Sequence, residues 1–347
     1  MGTKLGRKFG VLFLVCAALL GARGISAQDG GQIIRLDPAF DALVPPAAHI
    51  EKLKDGYGFL EGPVWVHTSK PGYLLFSDIP ANVINKWTPD GKVVTFLEKS
   101  GFAGDDPGDA GYQMSNGHKT VTLYGSNGIT LDKTGRVTYV QHGDRGVMRL
   151  EKNGKRTVLA SKYEGKRLNS PNDLVYKSDG SLYFTDPPFG LRKLGDDPKK
   201  ELPFAGVFLL SRGKLQLIIK DLQAPNGIAF SPDEKYLYVN DSFTKKYWRY
   251  EVQPDGTVAN AKLFIDMSSS KEEGVPDGMK VDKMGNIYGA GPGGVWVLSP
   301  EGKHLGTIKP SENPANLAWG DTDAKTLYFT AVTGLYRLRV TNTGIRP

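Results

Sequence analysis

The chain contains 347 residues, among them 43 Gly and 22 Pro, a composition that suits many short strands joined by tight turns. Hydrophobic residues make up 39% and charged residues 23%, as in ordinary globular proteins, so the chain can form a sizeable core. The net charge of +7 comes without a basic cluster or interleaved aromatic residues, which argues against nucleic-acid binding.

The N-terminus has the features of a secretory signal peptide. Three basic residues precede an apolar run over residues 9–22, which is too short to span a bilayer comfortably. The small residue Ala27 before Gln28 indicates cleavage at that point, so residues 1–27 are predicted to form the signal peptide. Cleavage next to Ala22 and an uncleaved anchor are the alternatives. We expect an exported protein, periplasmic or secreted, with no membrane association after cleavage.

Processing also changes the chemistry of the chain. Cys16 is the only cysteine and lies inside the predicted signal peptide, so the mature chain would contain no disulfide and no catalytic thiol. Removal of the leader takes away four basic residues and no acidic ones, which lowers the net charge from +7 to +3. Residues 28–47 are predicted to be an N-terminal extension.

After this extension, one pattern recurs six times. An acidic or amide residue begins a short apolar strand, a polar turn follows, and a second strand rich in Tyr, Phe, Val and Leu ends 14 to 17 residues later. The copies are Glu61–Asp78, Asn127–His142, Asn172–Asp186, Asn226–Asp241, Asp277–Gly291 and Asn316–Ala331. Further apolar strands follow within the units. The pattern predicts an all-β fold, a six-bladed β-propeller over residues 48–342.

Three segments outside the repeat have predicted places in this fold. The alternating residues 48–54 would supply the outer strand of the last blade, which would close the ring and cover an exposed edge. Residues 98–126, rich in Gly and Asp, predict a long loop after blade one. Residues 187–205 interrupt blade three and predict a lid.

The repeat also predicts where polar side chains converge. The first strand of a propeller blade lines the central channel and the second runs back antiparallel, so the start of one and the end of the other lie on the same face. Carboxylate and amide oxygens converging from several blades suit a hard divalent cation such as Ca²⁺. The strand starts form an inner ring of Glu61, Asn127, Asn172, Asn226, Asp277 and Asn316. A neighbouring ring contains Asp78, His142, Asp186 and Asp241.

Structural roles are the alternative for single members of these rings, because Asn and Asp often bond the backbone where a strand begins. Asp78 and Asp241 are alternatively loop caps, and His142 is alternatively a hydrogen-bonded structural histidine. The two carboxylates of the inner ring, Glu61 and Asp277, favour a cation because they would otherwise repel each other.

The sequence lacks the signature motifs of several classes of hydrolase. It contains no Gly-x-Ser-x-Gly motif, no mature cysteine, no His-Glu-x-x-His motif, no paired-cysteine zinc site and no phosphate-binding glycine loop. Metal-assisted attack by water is the mechanism that remains for a hydrolase.

Four short motifs resemble the SMP-30/gluconolactonase/LRE-like family: Glu61-Gly-Pro-Val-Trp65, Ser170-Pro-Asn-Asp-Leu174, Pro225-Asn-Gly227 and Pro276-Asp-Gly278. The stretches Ser126–Thr130, Gln141–Arg145 and Tyr183–Pro187 look like the bacterial gluconolactonase branch of that family. The resemblance covers about residues 50–340. It implies a six-bladed propeller with a single catalytic metal ion.

The resemblance also implies the residues of the metal site. By motif, the ligands are a Glu, two Asn and an Asp, which fall on Glu61, Asn172, Asn226 and Asp277. Ca²⁺ is the expected ion, although Zn²⁺, Mn²⁺ and Mg²⁺ could meet the same oxygen ligands.

Further site residues are predicted beside the ligands. Asp186 matches a family position suited to a general base, and His142 is the alternative base. Asn127 and Asn172 are predicted to bind the substrate.

These features predict a hydrolase that opens a small sugar lactone such as gluconolactone by attack of water on a metal-polarised carbonyl. A broader activity on other lactones, aryl esters or phosphotriesters is the first alternative, since related propellers share the metal and differ in their loops. A non-catalytic binding propeller is the alternative of a different class, but a pure scaffold needs no such ligand set.

Overall fold

The computed structural model describes Gly2, residues 30–67 and residues 70–347. Apart from Gly2, the predicted signal peptide lies outside these residues. The described chain forms six antiparallel sheets of four or five strands, which are the blades of a β-propeller. The predicted fold class is therefore confirmed.

The strands of the first three blades follow each other from the channel outwards. Blade one contains Leu60–Val66, Tyr73–Asp78, Val83–Trp87 and Val93–Glu98. Blade two contains Ser126–Leu131, Val137–Gln141, Gly146–Leu150 and Arg156–Ala160. Blade three contains Leu174–Tyr176, Leu182–Asp186, Gly206–Ser211 and Lys214–Ile219.

Blade four has the same order of strands as the first three. Blades five and six each contain, in addition, one strand from the N-terminal part of the chain. Blade four contains Pro225–Phe230, Tyr236–Asp241, Lys246–Val252 and Val258–Asp266. Blade five contains Met279–Val281, Ile287–Gly291, Gly294–Leu298, His304–Pro310 and, outermost, Gly31–Arg35. Blade six contains Pro314–Gly320, Thr326–Ala331, Gly334–Arg339 and, outermost, Glu51–Lys54.

The two N-terminal strands tie the ends of the chain together. Glu51–Lys54 pairs antiparallel with Gly334–Arg339, which confirms that residues 48–54 include the outer strand of the last blade. Gly31–Arg35 pairs antiparallel with His304–Pro310, so part of the predicted N-terminal extension is a fifth strand of blade five. Both strands cover backbone groups of blades that would otherwise end in an open edge.

Among the described residues, little regular structure lies outside the blades. The remaining elements are the helix Phe40–Leu43, the 3₁₀ turn Leu194–Asp196, and two hairpins, Tyr112–Ser115 with Thr120–Leu123 and Lys162–Tyr163 with Lys166–Arg167. None of the helices in the described part of the chain has the length and hydropathy of a membrane span.

The hydrophobic core lies between the blades. Six apolar clusters each join side chains of two neighbouring blades, so every blade is packed on both faces. Trp65 of blade one stacks on Tyr328 of blade six at 5.3 Å between ring centroids, and Tyr183 of blade three packs edge-on to Phe230 of blade four at 4.9 Å. This packing fixes the inner strands, and with them the polar residues at the channel.

Candidate metal centre

The six residues of the inner ring lie at one level of the channel, because hydrogen bonds join each blade to the next there. Five of the side chains are at most 4% exposed, and Asp277 is partly exposed. The inter-blade bonds are Ser77 Oγ to the Asn127 carbonyl, Gly128 N to the Asn172 carbonyl, Thr185 Oγ1 to the Asn226 carbonyl, Asn240 Nδ2 to the Asp277 carbonyl, Gly278 N to the Ala315 carbonyl, and Asn316 Nδ2 to Glu61 Oε2.

The two carboxyl groups of the ring interact directly. Burial raises the pKa of Glu61 to about 7, although the Gly62 N–H donates to its Oε2 at 2.7 Å and opposes the shift. Burial and then the charge of Glu61 raise the pKa of Asp277 well above its usual range. Both groups therefore favour the protonated form in a ring without a cation. A bound cation would lower both pKa values and favour the carboxylates.

Several oxygens of the ring have no hydrogen-bond partner in the protein. They are Oδ1 of Asn127, Oδ1 of Asn226 and Oδ1 of Asp277, and all three are buried. Buried polar atoms are normally paired, so three orphaned acceptors at one level indicate a bound group that carries positive charge or donates hydrogen bonds.

The kind of donor also fits a hard cation. Within residues 30–67 and 70–347, no three His, Cys, Asp or Glu side chains form a group that could hold a metal ion. Amide oxygens would therefore have to complete the site, as the predicted set of Glu61, Asn172, Asn226 and Asp277 does. An all-oxygen set of two carboxylates and two amides suits Ca²⁺ better than a softer metal.

Ser242 was not predicted from the sequence, and it orients one of these amides. Its Oγ accepts a bond from Asn226 Nδ2 at 3.0 Å and donates to the Pro276 carbonyl at 2.6 Å. The Asn226 amide therefore presents Oδ1 and not Nδ2 to the channel. The only signal in the sequence is that Ser242 directly follows Asp241 at the end of a second strand.

The acidic residues at the ends of the second strands perform one repeated task. Asp186 accepts the N–H groups of Asn169 and Ser170, both at 2.8 Å, and its side chain is fully buried. Asp78 accepts the N–H groups of Gly58 and Phe59, and Asp241 those of Gln223 and Ala224. In each of these three blades the donors are the residues three and two positions before the ring residue, so the carboxylates fix the backbone that leads into the inner strand.

This arrangement bears on the predicted general base. Both oxygens of Asp186 are occupied by backbone donors, and burial raises the pKa of Asp186 to about 7 despite those bonds. The base role of Asp186 stays a prediction, and the geometry gives the same carboxylate a structural role.

His142 contacts the ring through Asn127. Its Nε2 lies 3.2 Å from Asn127 Nδ2, and burial lowers the pKa of His142 to about 4. A neutral imidazole whose Nε2 accepts the amide N–H leaves Asn127 Oδ1 directed away from it. The structure therefore brings together the predicted substrate-binding Asn127 and the alternative base His142.

The two insertions meet on the ring face. Gly111 N–H donates to the Gly190 carbonyl at 2.8 Å, and Asn116 Nδ2 donates to the Gly58 carbonyl at 2.8 Å. Gly190 N–H donates in turn to Ser170 Oγ at 2.7 Å. Residues 98–126 and 187–205 are therefore tied to the segments that lead into the ring, where the predicted lid would lie.

Comparison with known proteins identifies the family of the chain. A family model described as SMP-30/Gluconolactonase/LRE-like region matches residues 59–333. The chain belongs to this family. The resemblance inferred from the four motifs is thereby confirmed.

Several known proteins are similar to this chain over most of its length. It is 37% identical over 324 residues to a gluconolactonase of Zymomonas mobilis, which covers 90% of this chain and 87% of that one. It is 32% identical over 282 residues to a pentonolactonase of Haloferax volcanii, covering 79% and 81% of the two chains. A solved structure of a gluconolactonase from Xanthomonas campestris matches with a TM-score of 0.75 at 29% identity, covering 90% and 97%.

Proposed function

We propose that this protein is a metal-dependent lactonase that opens a small sugar lactone at the inner ring. The observation that carries the proposal is the group of buried, unpaired oxygens beside two carboxyl groups at the channel. The similarity to proteins named gluconolactonase and pentonolactonase supports a sugar lactone as the substrate.

Four side chains would hold the ion: Glu61, Asn172, Asn226 and Asp277. Their oxygens favour Ca²⁺, and Zn²⁺, Mn²⁺ and Mg²⁺ are the other candidates. A divalent ion bound there supplies positive charge that polarises a lactone carbonyl and stabilises the developing oxyanion.

The remaining chemistry belongs to the side chains of the ring. Asp186 is the candidate to take the proton of an attacking water, and His142 is the alternative base. Asn127 Oδ1 is free to accept a hydrogen bond from a sugar hydroxyl. The insertions over the ring would exclude bulk water from the substrate. Export through the predicted signal peptide remains part of the proposal.

A comparison of substrates tests the proposal. Initial rates would be measured with Ca²⁺ on gluconolactone, a pentonolactone, an aryl ester and a phosphotriester. We expect the highest kcat/KM on a sugar lactone. A clear preference for the phosphotriester would overturn the substrate class, and metal binding without hydrolysis of any of the four would indicate a binding propeller instead.

A further inference from the structure

One oxygen of the Glu61 carboxyl group is held inside the protein. Its Oε2 accepts the Gly62 N–H at 2.7 Å and Asn316 Nδ2 at 3.0 Å. Two donors occupy the lone pairs of this oxygen. A cation at the ring could then be bound by Glu61 only through Oε1.

Asn316 cannot turn its amide around. Its Oδ1 accepts the Leu317 N–H at 2.8 Å and Lys280 Nζ at 3.2 Å, and both are donors that only an oxygen can satisfy. The amide also lies flat against Gly278, where a Cβ atom would come within 2.0 Å of Asn316 Cγ. Asn316 Nδ2 must therefore face Glu61, although Asn316 occupies a position of the inner ring.

Lys280 approaches this amide from deeper in the channel. It lies in the strand Met279–Val281, and its Nζ also donates to the Met279 carbonyl at 2.9 Å. The side chain lies between the ring and an apolar cavity of about 140 Å³ that Trp65 and Trp319 help to line. Lys280 is thus anchored on its own strand and reaches across to blade six.

We propose that Asn316 and Lys280 are positioning residues of the metal centre. Lys280 fixes the Asn316 amide, and Asn316 holds Oε2 of Glu61 so that the carboxylate presents a single oxygen to the ion. Neither residue is a metal ligand in this arrangement. The inference rests on the proposed metal site and specifies how Glu61 takes part in it.

A double-mutant cycle measured as Ca²⁺ affinity by calorimetry tests this chain of contacts. Loss of a group that orients a metal ligand costs about 10- to 100-fold in affinity. We expect Asn316→Ala to weaken binding within that range and Lys280→Met to weaken it by about 10-fold. The double variant should bind no more weakly than Asn316→Ala, because Lys280 acts through Asn316.

The sign of the Lys280→Met effect is decisive. If Lys280 acted only as a nearby positive charge, its removal would strengthen Ca²⁺ binding. Unchanged or tighter binding in Lys280→Met, or fully additive losses in the double variant, would overturn the proposal. Lys283→Met is the matched control, since Lys283 is exposed in the same blade, and it should bind Ca²⁺ as the wild type does.

Two further measurements show whether each variant folds and how Glu61 binds the ion. Melting temperatures of the metal-free variants show whether each one folds, and Asn316→Ser replaces Asn316→Ala if the latter does not. A structure with Mn²⁺ at the ring should show Glu61 bound through Oε1 alone, and bidentate binding would contradict the proposal. If the wild type binds no divalent cation, the metal-dependent function itself fails, whatever the variants do.

Discussion

Asp277 lies between Pro276, which stiffens the backbone before it, and Gly278, against which the Asn316 amide packs. Asp277→Asn keeps the size of the side chain and removes its charge. We expect Ca²⁺ affinity to fall by roughly 100-fold or more and most lactonase activity to disappear. The metal-free variant should be at least as stable as the wild type, because repulsion between Asp277 and Glu61 is relieved.

Calorimetric Ca²⁺ titration and the melting temperature in chelator together test this variant. Asp221→Asn, at an exposed position, is the control for the loss of one acidic charge and should leave both quantities unchanged. A lowered melting temperature with near-normal affinity in Asp277→Asn would show that Asp277 only anchors the turn before its strand.

Asp186 gives a prediction for pH. Because burial raises the pKa of Asp186 to about 7, the folded protein binds this proton more tightly than the unfolded chain does. The stability that this adds is fully present below about pH 4 and is lost as pH rises through about 7. Asp186→Asn cannot lose a proton there, so its free energy of unfolding in chelator should depend less on pH between 4 and 7. Denaturant unfolding at several pH values measures this, and parallel curves would contradict it.

The same variant separates the two roles of Asp186 in catalysis. Asn at position 186 keeps an acceptor for one backbone N–H and loses the other, which costs about 1–3 kcal/mol of stability. If the carboxylate only holds Asn169 and Ser170, kcat should fall by less than about 10-fold while Ca²⁺ affinity is kept. If it is the general base, kcat should fall by about 100-fold or more without loss of Ca²⁺ affinity.

The sequence predicted the members of the ring but not their partners. Glu61, Asn172, Asn226 and Asp277 could be placed at one level because the repeat fixes where each inner strand begins. The bond from Asn316 to Glu61 joins residues 255 positions apart, and its geometry depends on how blade six packs on blade one. Contacts of this kind carry no local signal.

At the scale of elements, the position of the predicted lid, residues 187–205, depends on the close packing of Gly190 against Ser170 and His142. A Cβ atom there would lie 2.6 Å from Ser170 Cβ and 2.7 Å from the His142 carbonyl. Gly190→Ala should therefore push residues 187–205 away from the ring. Since misplacement of about 1 Å can cost on the order of 100-fold in rate, we expect kcat/KM to fall by roughly 10- to 100-fold with Ca²⁺ affinity unchanged.

Gly195 supplies the control for this substitution. It lies in the same insertion with open space around its Cβ position, so Gly195→Ala should keep normal kinetics. Equal activity of both variants on gluconolactone would mean that the insertion does not form part of the active site.

The repeat predicted the inner and second strands of all six blades, because alternating apolar residues and turn motifs mark them in the sequence. It did not predict the strand Gly31–Arg35, which adds to blade five, or the contact between the two insertions. These elements pair with segments far away in the chain, so their own residues show only that they are extended or loop-like.

At the scale of the whole molecule, ring closure links stability to the site. The strand Glu51–Lys54 joins blade six, and the Trp65–Tyr328 stack joins blade six to blade one. The same two blades provide Glu61 and Asn316. The inner ring is therefore complete only when the propeller is closed.

Metal removal tests the central claim most directly. The initial rate of gluconolactone hydrolysis would be measured for the protein as purified, after exhaustive chelation, and after Ca²⁺ is added back, with circular dichroism to confirm that the fold persists. We predict that the rate falls to the uncatalysed level on chelation and returns with Ca²⁺ in the wild type but not in Asp277→Asn. A folded, metal-free protein that hydrolyses gluconolactone at an unchanged rate would contradict the account.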